Sequence, residues 1–157
     1  MKKIFLIVNL LIIIFTPSIS FGNVIDKLNE VGKFTKFNET LTKSGLNLNL
    51  KGNGPFTVFA PLDDAFAAIS AKTYYGLLRE ENKDKLMKIL GRHVFSKKIT
   101  SSEIDSEVKL KAINGEEITI KKVNGIVYIN EAEVVTADVE VSNGVVHYIN
   151  RVLQPLK

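Results

Sequence analysis

The stretch GPFTVFAPLDDAF, from Gly54 to Phe66, changes abruptly from one backbone pattern to another. Its first half is rich in β-forming residues, including Phe59. Pro61 cannot donate to a sheet ladder, so we predict that the strand ends there. Asp63 or Asp64 can accept hydrogen bonds from the free amides of the next turn and suits the positive end of a helix. The stretch therefore predicts a central strand that turns sharply onto a short helix carrying Phe66, and we interpret it as scaffold.

Helical patterns surround this stretch. Residues 23–45 have apolar residues at helical spacing with a possible break near Gly32, and Gly45 is a stop signal. LNLNL, residues 46–50, alternates at the period of a strand, so we expect a short strand there. Residues 73–95 contain a further helix, in which one apolar stripe runs from Leu86 to His93 and Val94. TSSEI, residues 100–104, predicts a capped helical turn.

From Val108 onward the sequence is rich in β-forming residues. Asn-Gly occurs three times between β-rich runs, at Asn114–Gly115, Asn124–Gly125 and Asn143–Gly144. This dipeptide supports the positive φ angles of tight hairpin turns. We therefore expect an antiparallel meander behind a mostly helical half, which is an α+β organisation.

The N-terminus has the order of a secretory signal peptide. Lys2 and Lys3 precede an apolar block, residues 4–15, which is followed by small residues. The block is shorter than the roughly 20 residues of a membrane-spanning helix. We expect residues 1–22 to be removed, after residue 20 or residue 22, with an uncleaved anchor as the alternative. The chain would then contact the membrane only through its signal peptide, during export to the periplasm or to the cell surface and medium.

The remaining residues, 23–157, number about 135 and predict a single domain. There is no cysteine, so neither a disulfide nor a lipid-modified cysteine is expected. The chain has 21 basic and 17 acidic residues, and loss of Lys2 and Lys3 lowers the net charge from +4 to +2. Basic residues are mixed with acidic ones along the chain, which argues against nucleic-acid binding.

Three segments resemble the fasciclin domain: TVFAPLDDAF at residues 57–66, ILGRHVF at 89–95 and VVTADVEVSNGVVHYINRVLQP at 134–155. The resemblance covers nearly the whole chain after the leader. It implies a wedge of β-strands packed against several short helices, and a non-catalytic role in adhesion or protein–protein contact outside the cytoplasm. Members occur among secreted bacterial proteins and animal matrix proteins, where the domain is often repeated in tandem.

The chain departs from the family pattern at three places. Animal members carry a tyrosine–histidine pair, associated with integrin binding, where this chain has Arg92–His93. Leu62 replaces a hydroxyl residue, which shifts helix capping to Asp63 or Asp64. Asn150 replaces an aspartate and keeps a hydrogen-bonding side chain.

The two histidines are the most chemically suggestive residues. His93 lies on the apolar stripe, where a histidine is usually held by backbone hydrogen bonds, because an unpaired buried polar group costs about 1–3 kcal/mol. The resemblance likewise implies a core histidine there. His147 shares a strand face with Val145 and Ile149. Two imidazoles without a carboxylate make a poor metal site, so we assign both a structural role and expect no cofactor.

The other candidate residues give weaker evidence for a catalytic site. Adjacent Asp63 and Asp64 do not point at one substrate, and Asp138 has no evident partner in the sequence. No cysteine and no Gly-x-Ser-x-Gly motif is present, so we expect no enzyme. Tyrosine is enriched at interfaces; Tyr74 and Tyr75, which we expect to be exposed, and Arg92 are therefore candidates for partner contact.

We expect an exported, monomeric interaction module whose partner is a protein or another component of the envelope or matrix. Two alternatives remain open. One is a carrier or sensor of a small periplasmic ligand, held in a pocket between sheet and helices. The other is an enzyme that uses His93 or His147.

Overall fold

The computed structural model describes residues 21–154. The predicted signal peptide, apart from Phe21 and Gly22, lies outside the described residues. None of the described helices combines the length and hydropathy needed to span a membrane.

The described α-helices lie between residues 24 and 91. Five α-helices are described: α1 Val24–Val31, α2 Thr35–Ser44, α3 Leu46–Leu50, α4 Ala71–Leu77 and α5 Lys83–Gly91. Three short 3₁₀ turns accompany them, at Asp63–Ala68, Glu80–Asn82 and Ser101–Glu103. The predicted break at Gly32 is confirmed, since Gly32 ends α1 in the left-handed conformation with φ of 68°.

Seven strands in the described part of the chain form one sheet. They are β1 Phe56–Pro61, β2 Val94–Phe95, β3 Val108–Lys111, β4 Glu117–Val123, β5 Ile126–Ile129, β6 Ala132–Val141 and β7 Gly144–Ile149. Their order in the sheet is β2-β1-β7-β6-β5-β4-β3. The predicted α+β class is therefore confirmed, and β3 to β7 form the expected antiparallel meander.

One strand pair was not anticipated. β1 and β7 are parallel, with Phe56 opposite Gly144 and Pro61 opposite Ile149. β1 ends at Pro61, as the sequence predicted. Parallel neighbours need a long crossover, and here almost the whole chain between residues 62 and 143 serves as that connection.

The central pair is buried on both faces. On one side Val58 and Val146 join the helical cluster, and on the other Phe59 and Ile149 join the strand cluster. The helical cluster includes Leu28, Phe34, Phe37, Leu41, Leu86 and Leu90. The strand cluster includes Phe95, Ile99, Ile104, Ile118, Ile120, Ile129 and Leu153. Double burial explains why β1 reads as a continuous apolar run.

The two ends of the sheet come together. The amide of Ile113, which follows β3, donates to the carbonyl of Val94 in β2 at 3.0 Å. This bond curls the sheet around the strand cluster. The loop between β3 and β4 is thereby held against the end of α5, where the Asn114 side chain donates to the Lys88 carbonyl at 3.0 Å.

The segment LNLNL is a helix, so the prediction of a strand there is wrong. Gly45, with φ of 82°, ends α2 in the left-handed conformation and lets the chain begin α3 at once. Leu46 and Leu50 are buried while Leu48 is 68% exposed. Residues four apart share a helix face, so the alternating leucines satisfy a single helical turn as well as a strand.

The predicted Asn-Gly turns have different outcomes. Asn124 and Gly125 have φ of 51° and 81° and connect β4 to β5, as expected. Gly115, with φ of 85°, lies in the longer loop between β3 and β4. The third prediction is wrong, because the turn falls on Ser142 and Asn143 while Gly144 begins β7. The turn between β5 and β6 uses Asn130, with φ of 50°, where no Asn-Gly pair marks it in the sequence.

Asn143 instead connects four parts of the chain. Its Oδ1 accepts from the amide of Val24 at 3.0 Å, and its Nδ2 donates to the carbonyls of Leu50 and Gly52 at 2.7 and 2.8 Å. Its own carbonyl accepts from the amide of Phe56 at 2.9 Å. This buried side chain therefore ties α1 and α3 to the start of β1.

Position 144 requires glycine because the backbone of the neighbouring strand comes very close to it. A Cβ at this position would overlap the carbonyl of Phe56 in the neighbouring strand. Any larger residue would force β1 and β7 apart at the point where Asn143 joins them to the helices.

We expect Asn143→Asp to lower the free energy of unfolding by about 2–4 kcal/mol, because a carboxylate cannot donate to the two buried carbonyls. Urea denaturation at neutral pH measures the loss. Asn29→Asp is the matched control, since exposed Asn29 only accepts a hydrogen bond through Oδ1. An equal, small effect of both substitutions would contradict the role of Asn143.

Candidate functional site

His93 lies just after α5, in the turn that leads into β2, and is fully buried. Its Nδ1 is 3.0 Å from the carbonyl of Ile89, and its Nε2 accepts from the amide of Leu153 at 3.0 Å. The ring is therefore neutral, with its proton on Nδ1. Burial lowers the pKa of His93 to about 4. Both nitrogens are occupied by backbone, so the ring has neither a free lone pair nor a free proton for chemistry.

His147, in β7, has the reverse arrangement of ring hydrogen bonds, with Nδ1 as the acceptor. Its Nδ1 accepts from the amide of Asp138 at 3.1 Å, and its Nε2 is 2.7 Å from the carbonyl of Ile99. The ring stacks on Phe59, with centroids 4.9 Å apart. Burial lowers the pKa of His147. This histidine is also neutral, with its proton on Nε2.

Asp138 has partners that the sequence did not reveal. With φ of 60°, it interrupts β6 in the left-handed region. Its carboxylate accepts from the amide of Ser101 at 2.7 Å and from the Ser101 hydroxyl. Burial acts to raise the pKa of Asp138, but the hydrogen bonds from Ser101 outweigh it and hold the pKa below its usual value.

Ser101, Asp138 and His147 do not form a nucleophilic triad. In such a triad the histidine stands between serine and acid and takes the serine proton. Here the acid stands between the other two, and the His147 ring nitrogens are directed to backbone groups. The arrangement joins the 3₁₀ turn after β2 to the irregular part of β6, which is a structural task.

The two histidines belong to different sides of the sheet. His93 packs on Phe37 of the helical cluster, with ring centroids 5.8 Å apart, whereas His147 stacks on Phe59 of the strand cluster. Across residues 21–154, no group of three or more histidine, cysteine or acidic residues is close enough to hold a metal ion.

Arg92, expected as a partner contact, is buried. Its Nε and Nη2 donate to the two carboxylate oxygens of Glu116 at 2.5 and 2.7 Å. The hydrogen bond from Arg92 lowers the pKa of Glu116. Arg92 therefore clamps the loop between β3 and β4 to the end of α5, a pairing of residues too distant in sequence to be anticipated.

The two tyrosines differ in their exposure to solvent. The prediction that both are exposed is wrong for Tyr74, which is buried and whose hydroxyl lies 2.6 Å from Glu39 Oε2. Burial, followed by this hydrogen bond, raises the pKa of Tyr74. Tyr75 is 65% exposed and remains a candidate for contact with a partner.

Asp63 caps a helix, but not the one that follows it. Its carboxylate accepts from the amides of Thr35 and Lys36 at 3.2 and 2.8 Å, at the start of α2. The adjacent 3₁₀ turn has no side-chain cap. Asp64 is exposed. Phe66 is buried in the helical cluster, against Tyr74.

A cavity of about 220 Å³ lies beside His93, mostly among the helices, with Pro61 at the end of β1 and Val152 after β7 also in its wall. It is bounded by α2, α4, α5 and the 3₁₀ turn after β1, and its lining is mostly apolar. The exposed residues Thr73, Lys85 and Gln154 form its opening. No pattern in the sequence pointed to this space, because its walls come from segments far apart in the chain.

An apolar strip lies on the outer face of the sheet. Val123 and Ile126 are opposite each other in β4 and β5. Tyr128 is opposite Glu133 in the antiparallel pair of β5 and β6, and Val135 lies two residues after Glu133, on the same face of β6. Val123, Ile126 and Val135 are 45%, 40% and 46% exposed, so three neighbouring strands present apolar side chains to solvent.

Comparison with known proteins gives one consistent family. A family model described as "Fasciclin domain" matches residues 32–155. The chain is 50% identical over 106 residues to Protein sll1483 of Synechocystis, covering 68% of this chain and 58% of that protein. It is 35% identical over 134 residues to the transforming growth factor-beta-induced protein ig-h3 of Sus scrofa, covering 85% of this chain and 19% of that protein. It therefore spans about three-fifths and one-fifth of these two relatives.

A solved structure shares the fold. It is a FAS1 domain pair from the insect cell adhesion molecule fasciclin I, with a TM-score of 0.74 and 21% sequence identity. The match covers 86% of this chain and 51% of that one.

We expect the neutral state of His93 to make stability depend on pH. Its pKa is about 4 in the folded protein and near 6.5 in an unfolded chain, so between these values the unfolded chain binds the extra proton. The contribution is complete above pH 6.5 and is lost as pH falls to 4, by about 3 kcal/mol. In urea denaturation across this range, His93→Gln should be less stable at pH 7 but should lose less stability on acidification.

Val94→Ala is the control, because it removes buried methyl groups without removing a titratable group. Its curve of stability against pH should run parallel to that of the original protein. A His93→Gln curve that is also parallel would contradict the assigned role.

Proposed function

The chain belongs to the fasciclin domain family, and we propose that it is an exported, monomeric, non-catalytic module that acts by protein–protein contact in the cell envelope or outside the cell. The solved protein that shares its fold is described as a cell adhesion molecule. The internal bonding of His93, His147 and Asp138 supports a role without catalysis, since each group has a structural partner.

The observation that carries this proposal is the apolar strip of Val123, Ile126 and Val135. Scattered apolar side chains on a surface need no explanation, whereas contiguous ones mark interaction sites. Lys121 and Tyr128, which are opposite each other on β4 and β5, border the strip. An apolar centre with such a border has the composition of a protein interface. The partner that fits is a protein with an apolar patch and a carboxylate at its edge.

The proposed contact is of ordinary size. A standard interface buries about 800 Å² on each partner. The outer faces of β3 to β6 offer a continuous surface around the strip, with Lys109 and Lys111 on the edge strand. A lysine-bearing edge discourages pairing with other strands, so we assign the contact to the sheet face.

The test is partner capture with matched surface variants. The purified protein is crosslinked to native envelope and surface fractions of its host, and captured proteins are identified by mass spectrometry. We expect Ile126→Glu to reduce the amount of the captured partner, and its measured affinity, more than tenfold, because a charge would enter the centre of the interface. Leu48→Glu, at the exposed position of α3, should change neither.

Thermal unfolding of both variants checks that neither effect comes from loss of the fold. Capture of the same partner by Ile126→Glu at the original level would exclude the strip as the contact surface. Absence of a reproducible partner for the unsubstituted protein across preparations would exclude the function itself.

A further inference from the structure

The cavity beside His93 has the size of a small-molecule site. Protein interiors contain few voids larger than a water molecule, and an apolar cavity of about 150 Å³ is large enough to bind benzene. The space here is about 220 Å³. It would therefore accept an apolar group of roughly six to eight carbon atoms.

The inner wall offers no free hydrogen-bonding side chain. The Tyr74 hydroxyl is bonded to Glu39 and the Thr40 hydroxyl donates to the carbonyl of Phe37 at 2.7 Å. Both nitrogens of His93 face backbone groups. Phe37, Phe66 and Leu86 supply much of the remaining surface. The part of a ligand that enters must consequently be apolar.

The opening of the cavity, by contrast, is polar. Lys85 and Gln154 line it and are exposed, and no ion pair to Lys85 is found within the described part of the chain. A cation at the mouth of an apolar cavity favours a ligand with an anionic end. One side of the wall is also held in place, because His93 bonds to Ile89 at the end of α5 and to Leu153. A preformed site loses less freedom on binding.

We propose that this cavity binds a small amphipathic monocarboxylate, with its apolar tail among the helices and its carboxylate beside Lys85. Such a ligand is a medium-chain fatty acid or an aryl-substituted short acid. The site lies on the helical side of the sheet, whereas the strip of Val123, Ile126 and Val135 lies on its outer face, so this inference does not depend on the proposed protein contact.

Octanoate is the probe, with acetate and octan-1-ol as controls that lack the tail or the charge. Binding is followed by calorimetry and by amide chemical shifts of the purified protein. We expect saturable binding of octanoate with Kd of about 0.1–1 mM, weaker binding of octan-1-ol and none of acetate. The largest shifts should occur at Leu86, Ile89 and Leu153.

Two substitutions separate the tail from the head. Ile69→Trp fills the cavity from a half-buried lining position and should abolish binding without lowering the melting temperature. Lys85→Gln should weaken octanoate binding about fivefold and leave octan-1-ol unchanged. Lys72→Gln, an exposed lysine on α4 that does not line the cavity, is the matched control and should bind as the original protein does.

No saturable binding of octanoate below about 10 mM, or unchanged binding by a folded Ile69→Trp variant, would overturn the proposal. Equal loss in Lys85→Gln and Lys72→Gln would overturn the assignment of the carboxylate. Ile126→Glu, which tests the protein contact, should bind octanoate normally, so the two proposals fail separately.

Discussion

The parallel contact between β1 and β7 constrains everything else in this domain. Both strands are buried on two faces, so helices must cover one side and the curled remainder of the sheet the other. Asn143 and Gly144 fix the point where the strands meet. Gly144 leaves room for the Phe56 carbonyl, and Asn143 uses its side chain and its own carbonyl to hold Val24, Leu50, Gly52 and Phe56. One buried amide thus sets the position of α1 and α3 against the sheet.

Buried polar groups need hydrogen-bond partners, and this need explains why the ring nitrogens of the two histidines are not free for chemistry. His93 and His147 each lie where two backbone groups, one donor and one acceptor, need a partner. A neutral imidazole supplies one acceptor and one donor, and burial keeps it neutral by lowering its pKa. Arg92 and Asp138 are likewise directed inward, to Glu116 and Ser101. These polar groups hold loops to the core.

Two surface features lie apart from these bonded groups. The outer face of the sheet carries contiguous apolar side chains, and the helical layer contains a cavity with a cationic opening. The two features lie on different sides of β1 and β7. Because the strands between them are packed on both faces, either surface can be altered while the other keeps its shape. The proposed ligand site and the proposed protein contact therefore lie at separate places in the domain.

Several features could be predicted from local signals: the α+β class, the strand end at Pro61, the break at Gly32, the Asn124–Gly125 hairpin and the burial of His93. Each depends on local backbone preference or on the spacing of apolar residues. Contacts between distant segments, by contrast, fix the helical state of LNLNL, the turn at Ser142–Asn143, and the buried positions of Tyr74 and Arg92. They also bring Asp138 to Ser101, Asp63 to α2, and several helices around one cavity. These outcomes depend on which distant segment lies opposite a given residue. Local propensity carries no information about that partner, and a polar side chain turns inward only where the partner is present.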